Sequence, residues 1–174
     1  MIFHSMLLSQ LLSEIDFVDS HVVGDPELTG VTNDSRAVVD GSVYVAIPGE
    51  NVDGREFADQ AHQAGAIDTS NAERNWVQVK DARAALSQLA AIVYDRPSKD
   101  LSVVGITGTN GKTTCAYLCR HLLASAWRRC GMIGTIEYDT GSGLAPAQRT
   151  TPEACDAQQM FAEMLDNGCR GASI

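Results

Sequence analysis

The sequence predicts an α/β protein in two parts: a small N-terminal α/β unit, then a mostly parallel, doubly wound unit that starts without finishing. Three observations carry this expectation. Short apolar runs alternate with helical patterns along all 174 residues, as in sheets covered by helices. The apolar run Leu101–Ile106 leads into a glycine-rich turn and then a helical pattern, the order that opens a parallel sheet. Between the two parts, Asp95-Arg96-Pro97-Ser98-Lys99-Asp100 interrupts the pattern with charge and a proline, so residues 1–98 and 99–174 are expected to be separate domains.

The elements follow in order. The opening residues 1–17 read as an amphipathic helix, because Glu14 and Asp16 and the lack of basic residues exclude a signal peptide. Asn33-Asp34-Ser35-Arg36 is a turn, with Asp34 able to cap it. Val43–Ile47 is a buried strand ended by Pro48-Gly49, Phe57–Ala64 a helix closed by Gly65, and Trp76–Val79 a strand. From Asp81 to Tyr94 the spacing of Leu86, Leu89, Ala90 and Val93 gives one helical face, with Asp81 as N-cap. Leu101–Ile106 is expected to be a strand buried on both faces. The helix after the glycine-rich turn carries an apolar stripe of Leu118, Cys119, Leu122, Leu123 and Ala126. Cys130–Gly134 restarts a strand, and Pro152–Asn167 is a helix closed by Gly168, with Thr151 as N-cap and Pro152 at its first position. The chain ends at Gly171-Ala172-Ser173-Ile174, where the next strand should form. With the sheet cut there, Met160, Phe161, Met164 and Leu165 are expected to lack cover.

Composition narrows the function. Thirteen basic against 22 acidic residues give a net charge of −9, and such a surface repels a nucleic-acid backbone. No apolar run approaches the ~18 residues of a membrane span. The cysteines Cys115, Cys119, Cys130, Cys155 and Cys169 form no CxxC pair. They read as packing thiols in a reducing compartment, so the expected location is the cytoplasm.

The most informative segment is Gly108-Thr109-Asn110-Gly111-Lys112-Thr113-Thr114, between strand and helix. Glycines let the backbone wrap an anion, and amides at the helix start donate to phosphate oxygens. Lys112 supplies the charge for the β- and γ-phosphates, and the Thr113 hydroxyl is placed to ligate Mg2+. Strict Walker spacing would put glycine where Ile106 stands, so the loop is a variant.

This loop resembles the ATP loop of the Mur ligases and their folylpolyglutamate synthetase relatives, which lack the same first glycine. Asn33-Asp34-Ser35-Arg36, Gly41 to Gly49 and Asp53-Gly54-Arg55-Glu56-Phe57 resemble the uridine-nucleotide domain of the MurE and MurF types. Gly134-Thr135 and Thr150-Thr151-Pro152-Glu153 are similar to the MurE type in particular. The resemblance implies an ATP-dependent ligase of peptidoglycan synthesis, expected to be a monomer. It would phosphorylate a UDP-N-acetylmuramoyl dipeptide on its D-glutamate carboxylate and add an amino acid, meso-diaminopimelate, through the acyl phosphate. ATP and Mg2+ would sit at residues 108–114. Asn33, Ser35 and the Glu50-Asn51-Val52 turn would meet the uridine nucleotide, and Thr150 and Thr151 the muramoyl-peptide end. Arg55 stands where many members have histidine, and Arg149 where an amide can occur. Catalytic groups are expected beyond residue 174, leaving these residues inactive alone. An L-lysine-adding enzyme, a MurF-type or folylpolyglutamate ligase, and a nucleotide-binding module without ligase chemistry remain alternatives.

Overall fold

The computed structural model describes residues 6–49, 52–64, 75–127 and 129–174. Its contacts divide the chain into one unit running to Val93 and another from Tyr94 to Ile174. Both mix helices with strands.

In the first unit, β1 (Met6–Leu7) runs directly into α1 (Leu8–Leu12), so the opening helix is one short turn and a half rather than the whole amphipathic stretch. The cause is local: Met6–Leu7 pairs antiparallel with β3 (Glu27–Leu28), and the Gln10 side chain accepts from the Leu7 amide at the helix start. Next come β2 (Asp19–His21), β4 (Gly30–Thr32) and β5 (Ser42–Tyr44). The expected strand Val43–Ile47 is therefore shorter and begins a residue earlier. It pairs in parallel with β4, and Val45 N–H still donates to Thr32 at 2.8 Å. A 3-10 turn (Gly54–Phe57) leads into α2 (Ala58–Gln63), whereas Gly65 lies outside the described residues. β6 (Trp76–Gln78) pairs antiparallel with β2.

α3 (Ala82–Val93) follows its sequence pattern closely. Asp81 Oδ1 accepts from the amides of Arg83 at 2.9 Å and Ala84 at 3.0 Å, satisfying two otherwise orphaned donors. Leu86, Leu89, Ala90 and Val93 are all buried. The chain then leaves the helix through Asp95 and Arg96, both at positive φ (59° and 50°), before Pro97.

The second unit is built on β7 (Ser102–Val104), α4 (Lys112–Trp127), β8 (Cys130–Ile133), β9 (Glu137–Asp139), β10 (Leu144–Pro146), α5 (Ala154–Asp166) and β11 (Gly171–Ser173). Its five strands run in the order β10-β9-β8-β11-β7. β8, β11 and β7 are parallel, and β9 and β10 extend the sheet antiparallel. The sheet is thus mixed, with a parallel core. The C-terminal strand expected at Gly171 is present, fully buried, between β8 and β7.

Three expectations change here. The run Leu101–Ile106 yields only a short strand whose Ser102 and Val103 are exposed, because among the described residues β7 pairs with β11 alone. On α4, Leu118 and Leu122 face outward, and the inward residues are Ala116, Cys119 and Leu123; Cys115 also lies on the surface. Ala116 is fixed inward because its carbonyl accepts the buried Ser173 hydroxyl of β11 at 3.0 Å. Finally, Phe161 and Met164 of α5 are covered, packed with Leu101, Ile133, Tyr138, Cys169 and Ala172, and Met160 and Leu165 flank that core. The strands already present suffice to bury that face.

α5 begins with Glu153 at the N-cap, two residues later than Thr151, and Pro152 is buried. It ends as expected at Gly168, whose φ is +80°. Gly168 N–H donates to Leu165 at 2.9 Å and Cys169 N–H to Met164 at 2.8 Å, the paired bonds of a Schellman end. Cys169 and Met164 also meet in the core, completing the motif.

Candidate functional site

The loop 105–111 leaves the carboxyl end of the parallel strands. The ladder persists just past β7, as Ile174 N–H donates to Val104 at 3.0 Å and Ile106 N–H to Ile174 at 2.6 Å. Beyond it the backbone turns through Gly108 (φ +145°) and Gly111 (φ +79°), conformations that side chains rarely adopt. No atom lies within 4 Å of a Cβ placed at Gly111, so its need for glycine comes from backbone angle and not from crowding. α4 starts at once: Cys115 N–H donates to Gly111 at 2.9 Å, leaving the preceding amides free of intrahelical partners. Such a helix start favours negative charge.

Lys112 folds back across this loop, its ammonium donating to the Gly108 carbonyl at 2.7 Å. Lys112 and Thr113 are half-buried, and Thr109, Asn110 and Thr114 are exposed. α4 is held near its start by Ser173 and further along by its own Arg120, which forms an ion pair with the buried Asp139 of β9 and reaches the Cys130 carbonyl at 3.4 Å. Asp139 is completed by the Gly141 amide at 2.8 Å. The helix that presents the loop is therefore tied to strands β8, β9 and β11.

A cavity of about 440 Å³ opens beside the loop. It is lined by Gly105, Ile106, Thr107 and Lys112, by Gly134 and Thr135 after β8, and by Thr150 and Thr151 before α5. Three segments up to 46 positions apart, from Gly105 to Thr151, thus share one wall. One ammonium, several hydroxyls and the helix-start amides make a donor set suited to polyphosphate and to a polar acceptor beside it. The Thr113 hydroxyl can give a magnesium ion one oxygen, with phosphate and water supplying the others. Among the described residues no cluster of three His, Cys, Asp or Glu side chains could hold a metal. Thr107 and Thr135 were not among the expected site residues; their position directly after parallel strands was the available signal.

In the first unit the expected contacts are less gathered. Asp34 Oδ1 accepts from the Arg36 amide at 2.9 Å, and the carboxylate grips the Arg36 guanidinium, so this segment is a capped turn. Ser35 is only 9% exposed, and its hydroxyl donates to Gln60 Oε1 of α2 at 3.2 Å. Val52 is exposed, in a loop closed by Gly49 N–H donating to its carbonyl at 3.1 Å, and Glu50 and Asn51 lie outside the described residues. Arg55 pairs with Asp53, whose carboxyl is held below its ordinary range first by that side-chain hydrogen bond. The apolar cavity of this unit, about 550 Å³, is walled by residues such as Leu8, Val43, Trp76 and Leu89 and includes none of Asn33, Ser35 or Val52.

Strand, glycine-rich loop and helix in this order define a P-loop α/β unit joined to a second α/β unit. Residues 27–94 match the family described as Mur ligase family, catalytic domain, and residues 106–173 match the Mur ligase middle domain. The chain belongs to the Mur ligase family. It is 41% identical over 168 residues to the UDP-N-acetylmuramoyl-L-alanyl-D-glutamate--2,6-diaminopimelate ligase of Alkaliphilus metalliredigens, covering 92% of this chain and 34% of that protein. The Streptomyces coelicolor protein of the same name is 42% identical over 161 residues, with 87% and 32% covered. The UDP-N-acetylmuramyl-tripeptide synthetase of Deinococcus radiodurans is 41% identical over 161 residues, with 86% and 33% covered. The chain spans about a third of the length of these relatives. Among solved structures, a UDP-N-acetylmuramoyl-L-alanyl-D-glutamate--2,6-diaminopimelate ligase superposes with a TM-score of 0.68 at 24% identity, covering 85% of this chain and 32% of that one. MurF from Acinetobacter baumannii gives 0.63 at 22% identity, covering 99% and 36%. These two establish the shared fold.

Proposed function

We propose that this chain serves an ATP-dependent ligase of the MurE type. The ligase would join meso-diaminopimelate to UDP-N-acetylmuramoyl-L-alanyl-D-glutamate in peptidoglycan synthesis. The observation that carries the reading is the single cavity shared by the loop of Lys112, Gly134-Thr135 and Thr150-Thr151. The names of the relatives more than 40% identical supply the choice of carboxylate and amine. In this reading residues 1–98 hold the uridine nucleotide, through Asn33, Ser35 and the Glu50-Asn51-Val52 turn. Residues 99–174 hold ATP on Gly108-Thr109-Asn110-Gly111-Lys112-Thr113-Thr114.

The chemistry transfers the γ-phosphoryl group of ATP to the D-glutamate carboxylate; the amine then attacks the acyl phosphate, forming the amide and releasing phosphate. The part played by these residues is positioning and charge neutralisation. Lys112, released from the Gly108 carbonyl, turns to the β- and γ-phosphates, and the loop amides donate to their oxygens. Thr113 would give its hydroxyl oxygen to Mg2+, which would neutralise charge on the polyphosphate. Thr150 and Thr151 face the carboxylate-bearing end of the acceptor across the same cavity. The cytoplasm is the expected site of action, consistent with five free cysteines and with no helix long and apolar enough to cross a membrane among the described residues.

The test is Lys112→Ala, titrated with a fluorescent ATP analogue in the presence of Mg2+. Loss of a charge-assisted contact to phosphate is expected to weaken binding by about tenfold or more, at an unchanged circular-dichroism spectrum. Affinity within about twofold of wild type would remove Lys112 from the nucleotide site.

A further inference from the structure

Thr150 and Thr151 sit in an irregular stretch between β10 and α5, where no ladder or helix fixes the backbone. One end is anchored by Ala147 N–H, which donates to the Ile136 carbonyl at 2.9 Å. In the middle, both main-chain polar groups of Arg149 meet a single atom, the hydroxyl oxygen of Tyr138. The Arg149 N–H donates to it at 3.0 Å, and the same hydroxyl donates its proton to the Arg149 carbonyl. A phenol has one proton to give and lone pairs to receive, so this arrangement uses both capacities at once.

Tyr138 is a buried post. It lies on β9 opposite Ile133 of β8, is 8% exposed, and its ring packs among Leu101, Phe161 and Met164. Gly134, at the end of β8, is tied to the next strand by its N–H donating to Glu137 at 3.0 Å. One core thus fixes two walls of the cavity: Gly134-Thr135 through the strand itself, and Thr150-Thr151 through the Tyr138 hydroxyl. The Arg149 side chain turns to Glu153 at 3.1 Å, at the start of α5, and leaves the cavity to the threonines.

We infer that Tyr138 is a positioning residue that sets Thr150 and Thr151 for the muramoyl-peptide acceptor. The inference rests on the proposed role of that threonine pair. Arg149 is exposed, so water can satisfy its backbone once the phenol is gone. Tyr138→Phe, which keeps the ring in the core, therefore loosens the segment without unfolding the unit.

The experiment is calorimetric titration of this chain with UDP-N-acetylmuramoyl-L-alanyl-D-glutamate, with UDP, and with ATP plus Mg2+. Wild type is compared with Tyr138→Phe and with the paired Thr150→Ala and Thr151→Ala substitutions. Amide exchange in β8 and β11 reports the fold, and exchange at Arg149 reports the loosened segment. Tyr138→Phe is expected to weaken the muramoyl dipeptide about three- to tenfold, the range of one or two hydrogen bonds, and to leave UDP and ATP within about twofold. Adding it to the threonine substitutions should cost nothing further, because both act on one contact. Introducing 4-aminophenylalanine at position 138, whose amine can also donate and accept, should restore affinity. If the threonine substitutions leave dipeptide affinity unchanged, the reading of that pair falls and the inference falls with it. If they weaken binding while Tyr138→Phe does not, the inference alone is overturned. Equal weakening of all three ligands by Tyr138→Phe would also overturn it, showing a general structural role.

Discussion

Gly131 is the position where the packing of the P-loop unit is most exposed to test. It sits on β8, all four residues of which are buried, facing α5 across the sheet. A Cβ built there would collide with Met164 Sδ and would lie 2.6 Å from its Cε and 2.7 Å from its Cγ. Carbon contacts are comfortable at ~3.5–4.0 Å, so the methionine would have to retreat by about 1 Å along most of its length. Methionine is flexible, but this one has no exposed surface and is enclosed by Ile133, Phe161, Cys169 and Ala172. Gly131→Ala is therefore expected to cost ~1–3 kcal/mol, the range for overfilling a packed core. Met164→Ala alone should cost ~2–5 kcal/mol through the cavity it leaves. In the double substitution the new methyl enters that cavity, so the total should fall below the sum by ~1 kcal/mol or more. Urea unfolding read through amide exchange of β8 and β11 measures all three against wild type, confined to this unit. A Gly131→Ala protein within ~0.5 kcal/mol of wild type, or strictly additive effects in the pair, would refute the packing argument.

Three further outcomes are expected. Asp81→Ala removes the cap from α3, freeing the amides of Arg83 and Ala84, and should lower the stability of the first unit by ~0.5–2 kcal/mol in urea titration. Ser35→Ala deletes the donor to Gln60 and, on the proposed function, should weaken UDP-muramoyl dipeptide binding about two- to tenfold in calorimetry; unchanged affinity would confine Ser35 to a structural role. Tyr94 is pushed up to about 12, chiefly by burial, from an ordinary value near 10. Its folded pKa is raised, so its contribution is fully present below ~pH 10 and is lost as pH rises through about 12. Stability followed over that window should fall less steeply in Tyr94→Phe, and identical slopes would refute the assignment.

Much of the fold was legible where one local signal decides the outcome. Asp81 and the spacing of four apolar residues specify α3, and Gly168 specifies where α5 stops, since few other residues adopt its backbone angle without strain. The segment 108–114 was legible because glycines, lysine and threonine in that order have few other uses between a strand and a helix. What the sequence concealed depends on neighbours. Leu118 and Leu122 fit a helical apolar stripe as well as Ala116 and Leu123 do. The choice was made by tertiary partners, the Ser173 hydroxyl on one turn and Asp139 on the next, which rotate α4 so that Leu118 and Leu122 face out. Leu101–Ile106 has the composition of a central strand, but among the described residues β7 pairs with β11 alone, and the number of pairing partners leaves no mark in six residues. The hairpin of β9 and β10 likewise escaped notice, and with it Tyr138, the residue that organises one wall of the cavity.

The cavity shows how topology assembles a site that no single segment announces. β7, β8 and β11 are parallel, so every loop that follows them emerges at the same end of the sheet. The P-loop after β7 and Gly134-Thr135 after β8 are neighbours for that reason alone, whatever their side chains. Thr150 and Thr151 follow β10, the outermost strand, and need a different device. The antiparallel turn back through β9 and β10 returns the chain toward that end, and the Tyr138 hydroxyl then captures its backbone. Loop chemistry and strand direction together account for the first two walls, and one buried phenol for the third. A substitution in this chain can therefore silence the third wall while leaving the nucleotide loop intact, which is the separation that the Tyr138 and Lys112 variants are designed to read.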